Sequence, residues 1–426
     1  MKELTENYCK TGTDNMSDFY NILDTMDSRT SYRKIRMDLI TLLHICDEHD
    51  LAQFSIDPNI VPNDMWPIIP MNPRNEVEEV LLLNKNRAVP NHDPSCAELK
   101  KEIDSMGALV SFDDGGTSIV MPLSAWAYKD LADRTGILCA NISKKSINKS
   151  RWLSENLTEA TVTLTIRESE DGSMRKIFAV RGRVFEGQNQ GPFIRRAQTI
   201  LEKDIGLGIA ECRHWEITNE SINVVFTFPE KTGEIRDMYP ELPDDITPIV
   251  DIYTSDVGKS AFHVTSGFMI GKTRIVSKDG TVCAEHNKHF KMSSVMKKVQ
   301  DCIFKQYNAV PKELARLLGI ELTDMAAAID EVINFTCIEK RAGMKYVVQH
   351  IKTLLCTELS LGTYTAYDLV TALISSPSRL IMTKKVSGDP KVIPESTLKV
   401  LNEALSKAIY CPFECETVDY DLTPEE

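Results

Sequence analysis

Apolar positions along the chain change period several times, and each change marks an element. Ile35, Leu39, Leu42, Leu43 and Cys46 recur at helical spacing behind Ser31, a residue able to cap, and predict a helix over 31–49. Pro58, Pro62, Pro67, Pro70 and Pro73 then remove backbone donors and restrict their neighbours, so 57–75 reads as an extended connector and 84–95 as a second linker. From there helices and strands alternate. Residues 96–106 and 124–135 carry helical periods, the second ending at Gly136 as a left-handed cap would. Leu109–Phe112 and Ser118–Met121 fit strands joined by Asp113-Asp114-Gly115-Gly116. A further helix is predicted over 143–157.

Ala160–Arg167 sets Val162, Leu164 and Ile166 against Thr161, Thr163 and Thr165, a period of two that predicts a strand. Asp171-Gly172 turns it into Met174–Val184. Residues 193–204 read as helix, and 207–229 and 246–283 as strand-rich stretches separated by a loop holding Pro229, Pro240, Pro243 and Pro248. From Met292 onward helical periods dominate. Runs of strands followed by runs of helices predict an α+β fold rather than a doubly wound parallel sheet. The expected layout is a helical segment 1–56, a Pro-rich connector 57–95, a strand-rich core domain 96–290 with interspersed helices, a helical region 291–410 and an acidic tail 411–426. No internal repeat or low-complexity tract stands out.

Composition narrows this picture. The 426 residues are 42% apolar and 26% charged, as in globular chains. No apolar run approaches the roughly 18–20 residues needed to cross a bilayer, and Met1–Tyr20 is polar and acidic, so a cytoplasmic protein with no membrane partner is expected. Eleven scattered cysteines suit reduced core residues better than a disulfide framework. The net charge of −13 hides an uneven layout. Residues 1–110 hold 11 Lys/Arg against 19 Asp/Glu, 144–203 hold 12 against 7, 259–317 hold 11 against 4, and 411–426 hold six acids and no base. Screening beyond about 8 Å lets a basic patch bind phosphate on an acidic protein.

Motifs for enzyme chemistry fall short. Gly258-Lys259-Ser260 and Gly271-Lys272-Thr273 end like phosphate loops, but Tyr253 and Ser266 stand where each loop needs its earlier glycine. Ala261–Thr265 moreover reads as a strand where a helix should start. Cys283, His286 and His289 are candidate metal ligands at three-residue spacing, with Cys212 and His214 able to complete a set only if folding brings them close. A strand would throw the three to opposite faces, and a buried Cys with two exposed His is the competing reading. Residues 311–333 resemble a helix-turn-helix. From Glu321 to Glu339, however, there are five acids and no Lys or Arg, the wrong sign for a groove-reading helix, and a packed hairpin is the simpler reading. No cofactor is expected.

The 160–185 hairpin carries the binding candidate. Arg175, Lys176, Arg181 and Arg183 lie along its second strand beside Phe178 and Phe185, with Arg181 and Arg183 sharing a face, and Arg195 and Arg196 open the next helix. Lys259, Lys272 and Arg274 add the second basic stretch. Cations that hold phosphates beside rings that stack bases form a platform for single-stranded nucleic acid. Cross-strand pairs with Glu168, Glu170 and Asp171, and core packing by the two Phe, are the competing reading.

Several of these stretches together resemble a known family. Leu131-Ala132 with Thr135-Gly136-Ile137, Asn156-Leu157, Arg175 and the Phe178–Arg181 strand are similar to the opening boxes of the phage/plasmid-like family called domain of unknown function 932. Ser255-Asp256-Val257-Gly258-Lys259-Ser260-Ala261 resembles its central box, and Thr365–Leu369 with Ala372-Leu373 its closing helix. The resemblance spans roughly residues 110–410. Where the family shows Cys-x-Asn-Gly, this chain has Cys283-Ala284-Glu285-His286, and Phe185 replaces a Tyr. The resemblance implies a gene carried by a phage, prophage or plasmid, and brings no assigned catalytic residue. The expectation is thus a non-catalytic protein of mobile-element DNA metabolism, binding single-stranded nucleic acid through basic sheet and helix surfaces. The alternatives are a structural protein acting by self-assembly or by pairing with other phage or plasmid proteins, and a metal-dependent nuclease with an unrecognised site.

Overall fold

The computed structural model describes residues 2–46, 51–55, 68–70, 78–81, 97–113, 118–136, 147–172, 174–271, 273–341, 344–359, 362–379, 381–383, 390–392, 401–414 and 417–419. The fold is α+β, with antiparallel sheets followed by a helical C-terminal region. Among the described residues no helix is long and apolar enough to cross a membrane.

The N-terminal stretch departs from expectation. It opens with β1 (Cys9–Gly12) and α1 (Met16–Ser28), and the predicted helix over 31–49 is instead two strands, β2 (Thr30–Arg36) and β3 (Ile40–Cys46). A short apolar run does not distinguish strand from helix by itself. Pairing decides it here, because β2 lies antiparallel to β9 (Thr161–Glu168) and β3 to β7 (Ala108–Asp113). The helix sits earlier, where Asn15 accepts from the Asp18 amide and Phe19, Leu23 and Met26 are buried at helical spacing. The described part of 1–56 therefore holds more strand than helix and is woven into the sheets. β4 (Leu51–Ser55), at the end of that stretch, and β5 (Ile68–Pro70) and β6 (Glu78–Leu81), within the predicted connector, pair in the order β5-β6-β4 and continue the sheet β3-β7-β8, with β8 at Ser118–Pro122. Most of 57–96 and the Asp114–Gly116 turn lie outside the described residues.

α2 (Ala97–Met106), α3 (Ala125–Arg134) and α4 (Ile147–Glu155) fall within their predicted spans, and Gly136 after α3 has φ +71°. β9 pairs with β10 (Arg175–Gly182), and α3 and α4 pack with these strands in one core that includes Leu131, Leu153, Val162, Leu164, Ile177 and Val180. The larger core lies under the sheet β1-β11-β12-β13-β14-β15, whose later strands are Glu211–Thr218, Ile222–Thr227, Ile246–Thr254, Phe262–Ile270 and Thr273–Ala284. α5 (Gln190–Thr199) packs there with α1. Asp27 accepts from the Gln190 and Gly191 amides at 2.9 and 2.7 Å and so caps α5 from another helix. The predicted proline loop contains α6 (Pro229–Met238), begun by Pro229, a residue suited to a first helical turn.

α7 (Met292–Leu318) is 27 residues long, about 40 Å, and buries Met296, Val299, Ile303, Val310 and Leu314 along one side. β16 (Ile320–Leu322) separates it from α8 (Met325–Thr336) and pairs with β17 (Tyr364–Thr365) and, further on, with β20 (Thr417–Asp419). The helix-turn-helix lookalike is thus two helices with a paired strand between them. α9 (Lys345–Glu358) and α10 (Ala366–Arg379) continue the helical region, which ends in helical turns over 401–410, and β18 (Ile381–Thr383) pairs with β19 (Pro390–Val392).

Candidate nucleic-acid interface

The β9–β10 hairpin forms as predicted, but not with an open basic face. A bulge at Phe178 sets Ile177 opposite Ile166 and Ala179 opposite Thr165, and β10 ends at Gly182, so Arg183 lies in the following turn. A bulge shifts the alternation by one residue, which period-two counting on sequence misses. Phe178 and Phe185 are buried and present no ring for a base to stack on.

Most of the predicted cations are occupied. Arg175 is exposed and pairs with its cross-strand neighbour Glu168 at 3.5 Å. Lys176 is fully buried, and its ammonium donates to the Leu4 carbonyl at 3.0 Å and to Glu102 at 2.9 Å. Burial pulls its pKa down, against the Glu102 charge. Arg181 donates from Nε to the Val257 carbonyl at 2.6 Å, lies 3.3 Å from Asp130 and stacks 5.2 Å over the Trp126 ring. Arg195 binds Asp24 through both guanidinium ends at 2.7 and 2.6 Å and lies 4.3 Å over Tyr20. Its hydrogen bonds hold the Asp24 carboxyl below the ordinary range. Lys259 is paired with Glu220, and Arg274 with Asp251. Lys272 lies outside the described residues. Arg183 and Arg196 are exposed and make no ion pair among the described residues.

The Ser255–Ala261 segment joins β13 to β14, and a strand follows it where a phosphate loop needs a helix. In the second such motif, Thr273 likewise begins a strand, β15. The first segment clamps the two sheets together. Asp256 receives two bonds from Arg167 of β9, both 2.7 Å, with side chains 2% and 3% exposed. Arg167 also donates to Asn219 Oδ1 at 2.9 Å, and Asn219 donates to the Glu3 and Thr5 carbonyls at 2.8 Å each. Gly258 has φ +69°, and a Cβ there would stand 2.5 Å from Arg181 Nε. Arg181 of β10 and the Val257–Gly258 backbone of this segment therefore touch.

The metal candidates do not converge. Cys283 is exposed, with Sγ 3.8 Å from Nε2 of its cross-strand neighbour His263. His286 is buried among Phe193, Phe262 and Phe290, bonds Thr254 Oγ1 at 2.9 Å, and is pushed down to about 4 by burial. His289 is exposed, and its amide donates to Asn287 Oδ1. Among the described residues no group of three His, Cys, Asp or Glu is placed to hold a metal ion.

Free cationic groups gather elsewhere. The Lys288 amide donates to the Val184 carbonyl at 3.2 Å, and Phe185 forms an isolated bridge with Asn287, so the turn after β10 lies against the approach to α7. This brings exposed Arg183 near exposed Lys288, with exposed Lys291 three residues further along the chain. From there Lys297, Lys298, Lys305 and Lys312 continue along the solvent side of α7. At 3.6 residues per turn these four, with Ser294, Asp301, Phe304 and Asn308, occupy about a third of the helix circumference. None of the seven cations makes an ion pair among the described residues. Asp301 is the one acid on the stripe. No motif marks these lysines in the sequence, although the excess of base over acid in 259–317 and the seven-residue spacing of Lys291, Lys298, Lys305 and Lys312 carry the signal. The chain matches no family model, no curated protein and no solved structure.

Proposed function

We propose that this chain is a non-catalytic nucleic-acid-binding protein that holds the phosphate backbone along the track from Arg183 through Lys288 and Lys291 to Lys312. The observation that carries the reading is that none of these seven cations, four of them on α7, makes an ion pair among the described residues. A lysine whose charge is not spent on a carboxylate can neutralise a phosphate and release its counterion. From Lys291 to Lys312 the track runs about 30 Å, long enough for several phosphates in a row. The phage/plasmid-like resemblance supports a setting in mobile-element DNA metabolism.

The test is oligonucleotide binding by fluorescence anisotropy across a salt series. Affinity is expected to fall steeply and linearly on log–log axes. Replacing Lys297, Lys298, Lys305 and Lys312 together by Gln should lower the slope by roughly 0.7 per lysine on a single strand. No binding at low salt, or an unchanged slope in the variant, overturns the reading. A shift to a larger species in light scattering without any nucleic-acid binding would favour assembly instead.

A further inference from the structure

We infer that the α7 track takes an unpaired strand, and that Phe304 is the stacking residue that sets this preference; the inference rests on the track being a phosphate-binding face. Phe304 is 44% exposed, and a solvent-facing ring gains nothing from the core on the opposite side of the helix. Its neighbours differ from those of the other exposed rings. Phe335 follows Asp330 and Glu331 on α8, and Tyr346 already lies 4.2 Å from the His350 ring. Trp152 on α4 follows Arg151, which is paired with Glu155. Phe304 instead sits beside one acid, Asp301, among lysines that make no ion pair among the described residues.

The stripe has two edges. Lys298, Lys305 and Lys312 are seven residues apart, two turns each, and form a straight row with steps of about 10.5 Å. Phe304 and Asn308 lie one turn apart on the other edge, with Lys297 two turns before Phe304. Asp301 stands between the rows and repels a phosphate placed over the middle. A backbone held along the lysine row therefore turns its bases toward Phe304, with the Asn308 amide one turn away to donate to or accept from a base edge. Only an unpaired base offers its face to a ring. In a duplex the faces are stacked inside, and a helix face like this one meets phosphates alone.

The experiment measures affinity and salt slope for an unstructured oligonucleotide and for the matching duplex, using the full chain and its Phe304 variants. Phe304→Ala and Phe304→Leu should each weaken single-strand binding about tenfold, leave the salt slope unchanged and leave duplex affinity as it was. Phe304→Leu keeps an apolar side chain without a ring, so it separates stacking from simple burial. Phe304→Trp should retain affinity, and its added fluorescence should be quenched by the single strand and not by the duplex. Because the ring is exposed, the melting temperature of each variant should match the parent. If Phe304→Leu binds the single strand as tightly as the parent, or if both ligands weaken together, the inference is overturned while the lysine variants still report on the track. If the lysine variants also change nothing, both readings fall.

Discussion

Two sets of basic residues sit in this molecule, and they differ in what their charge is doing. Those on the hairpin and the β13–β15 strands, with Arg195 of α5, are joined to carboxylates or carbonyls: Arg167 to Asp256, Lys176 to Glu102, Arg181 to Asp130 and Val257, Arg195 to Asp24, Arg274 to Asp251. The four lysines along α7 point to solvent and have no such partner among the described residues, unlike Arg316 of the same helix, which pairs with Glu313. Counting Lys and Arg in a segment weighs the two sets alike. Geometry separates charges that hold the sheets together from charges left for a ligand. The first set should govern stability with little effect on binding, and the second should do the reverse.

The largest effect is expected at the buried clip. Asp256→Ala leaves the Arg167 guanidinium buried without its counter-charge, which costs about 3–5 kcal/mol of stability in a urea titration. The double change Arg167→Leu with Asp256→Leu removes both charges and should recover much of that loss. If Asp256→Ala unfolds at the parent's midpoint, the clip is not holding the sheets. A smaller effect is expected at His286. Burial among three Phe rings puts its folded value near 4, below the ordinary 6.5. The unfolded chain therefore takes up a proton across that interval while the folded chain does not. The stability contributed by neutral His286 is present above about pH 6.5 and is lost as pH falls toward 4, by at most about 3 kcal/mol. His286→Gln keeps a partner for Thr254 and cannot titrate, so its stability should be flatter over the same window.

Much of the framework was legible in the order of residues. The Val/Thr alternation of β9, the Asp171-Gly172 turn and the left-handed Gly136 end of α3 are local signals, and they place those elements well. Failures came where the deciding partner is far along the chain. Ile40–Cys46 is a strand because β7 pairs with it, more than sixty residues later. Arg195 looked available because Asp24 is 171 positions away, and the Arg167–Asp256 clip spans 89. The bulge at Phe178 turned a predicted aromatic surface inward. The α7 lysines were readable in principle, since their spacing is periodic, but the same spacing describes any solvated helix face. What marks them is that none makes an ion pair among the described residues, and that is a property of the folded surface.

The smallest effect offers the sharpest discrimination between the two sets. Arg195 is 40% exposed on its side chain, and its carboxylate partner 50%, so water screens the pair despite its two-point geometry. Arg195→Gln should therefore cost less than about 1 kcal/mol in a denaturant titration. The same variant tests occupancy directly. If Asp24 has already neutralised Arg195, removing the guanidinium frees a carboxylate without taking away a phosphate contact, and the salt slope of nucleic-acid binding should stay where it was. Arg196, one position along and without an ion pair, is the matched control on the same helix. A slope that dropped for Arg195→Gln as far as for Lys305→Gln would mean that nucleic acid displaces Asp24 from Arg195. The paired and unpaired sets would then belong to one surface.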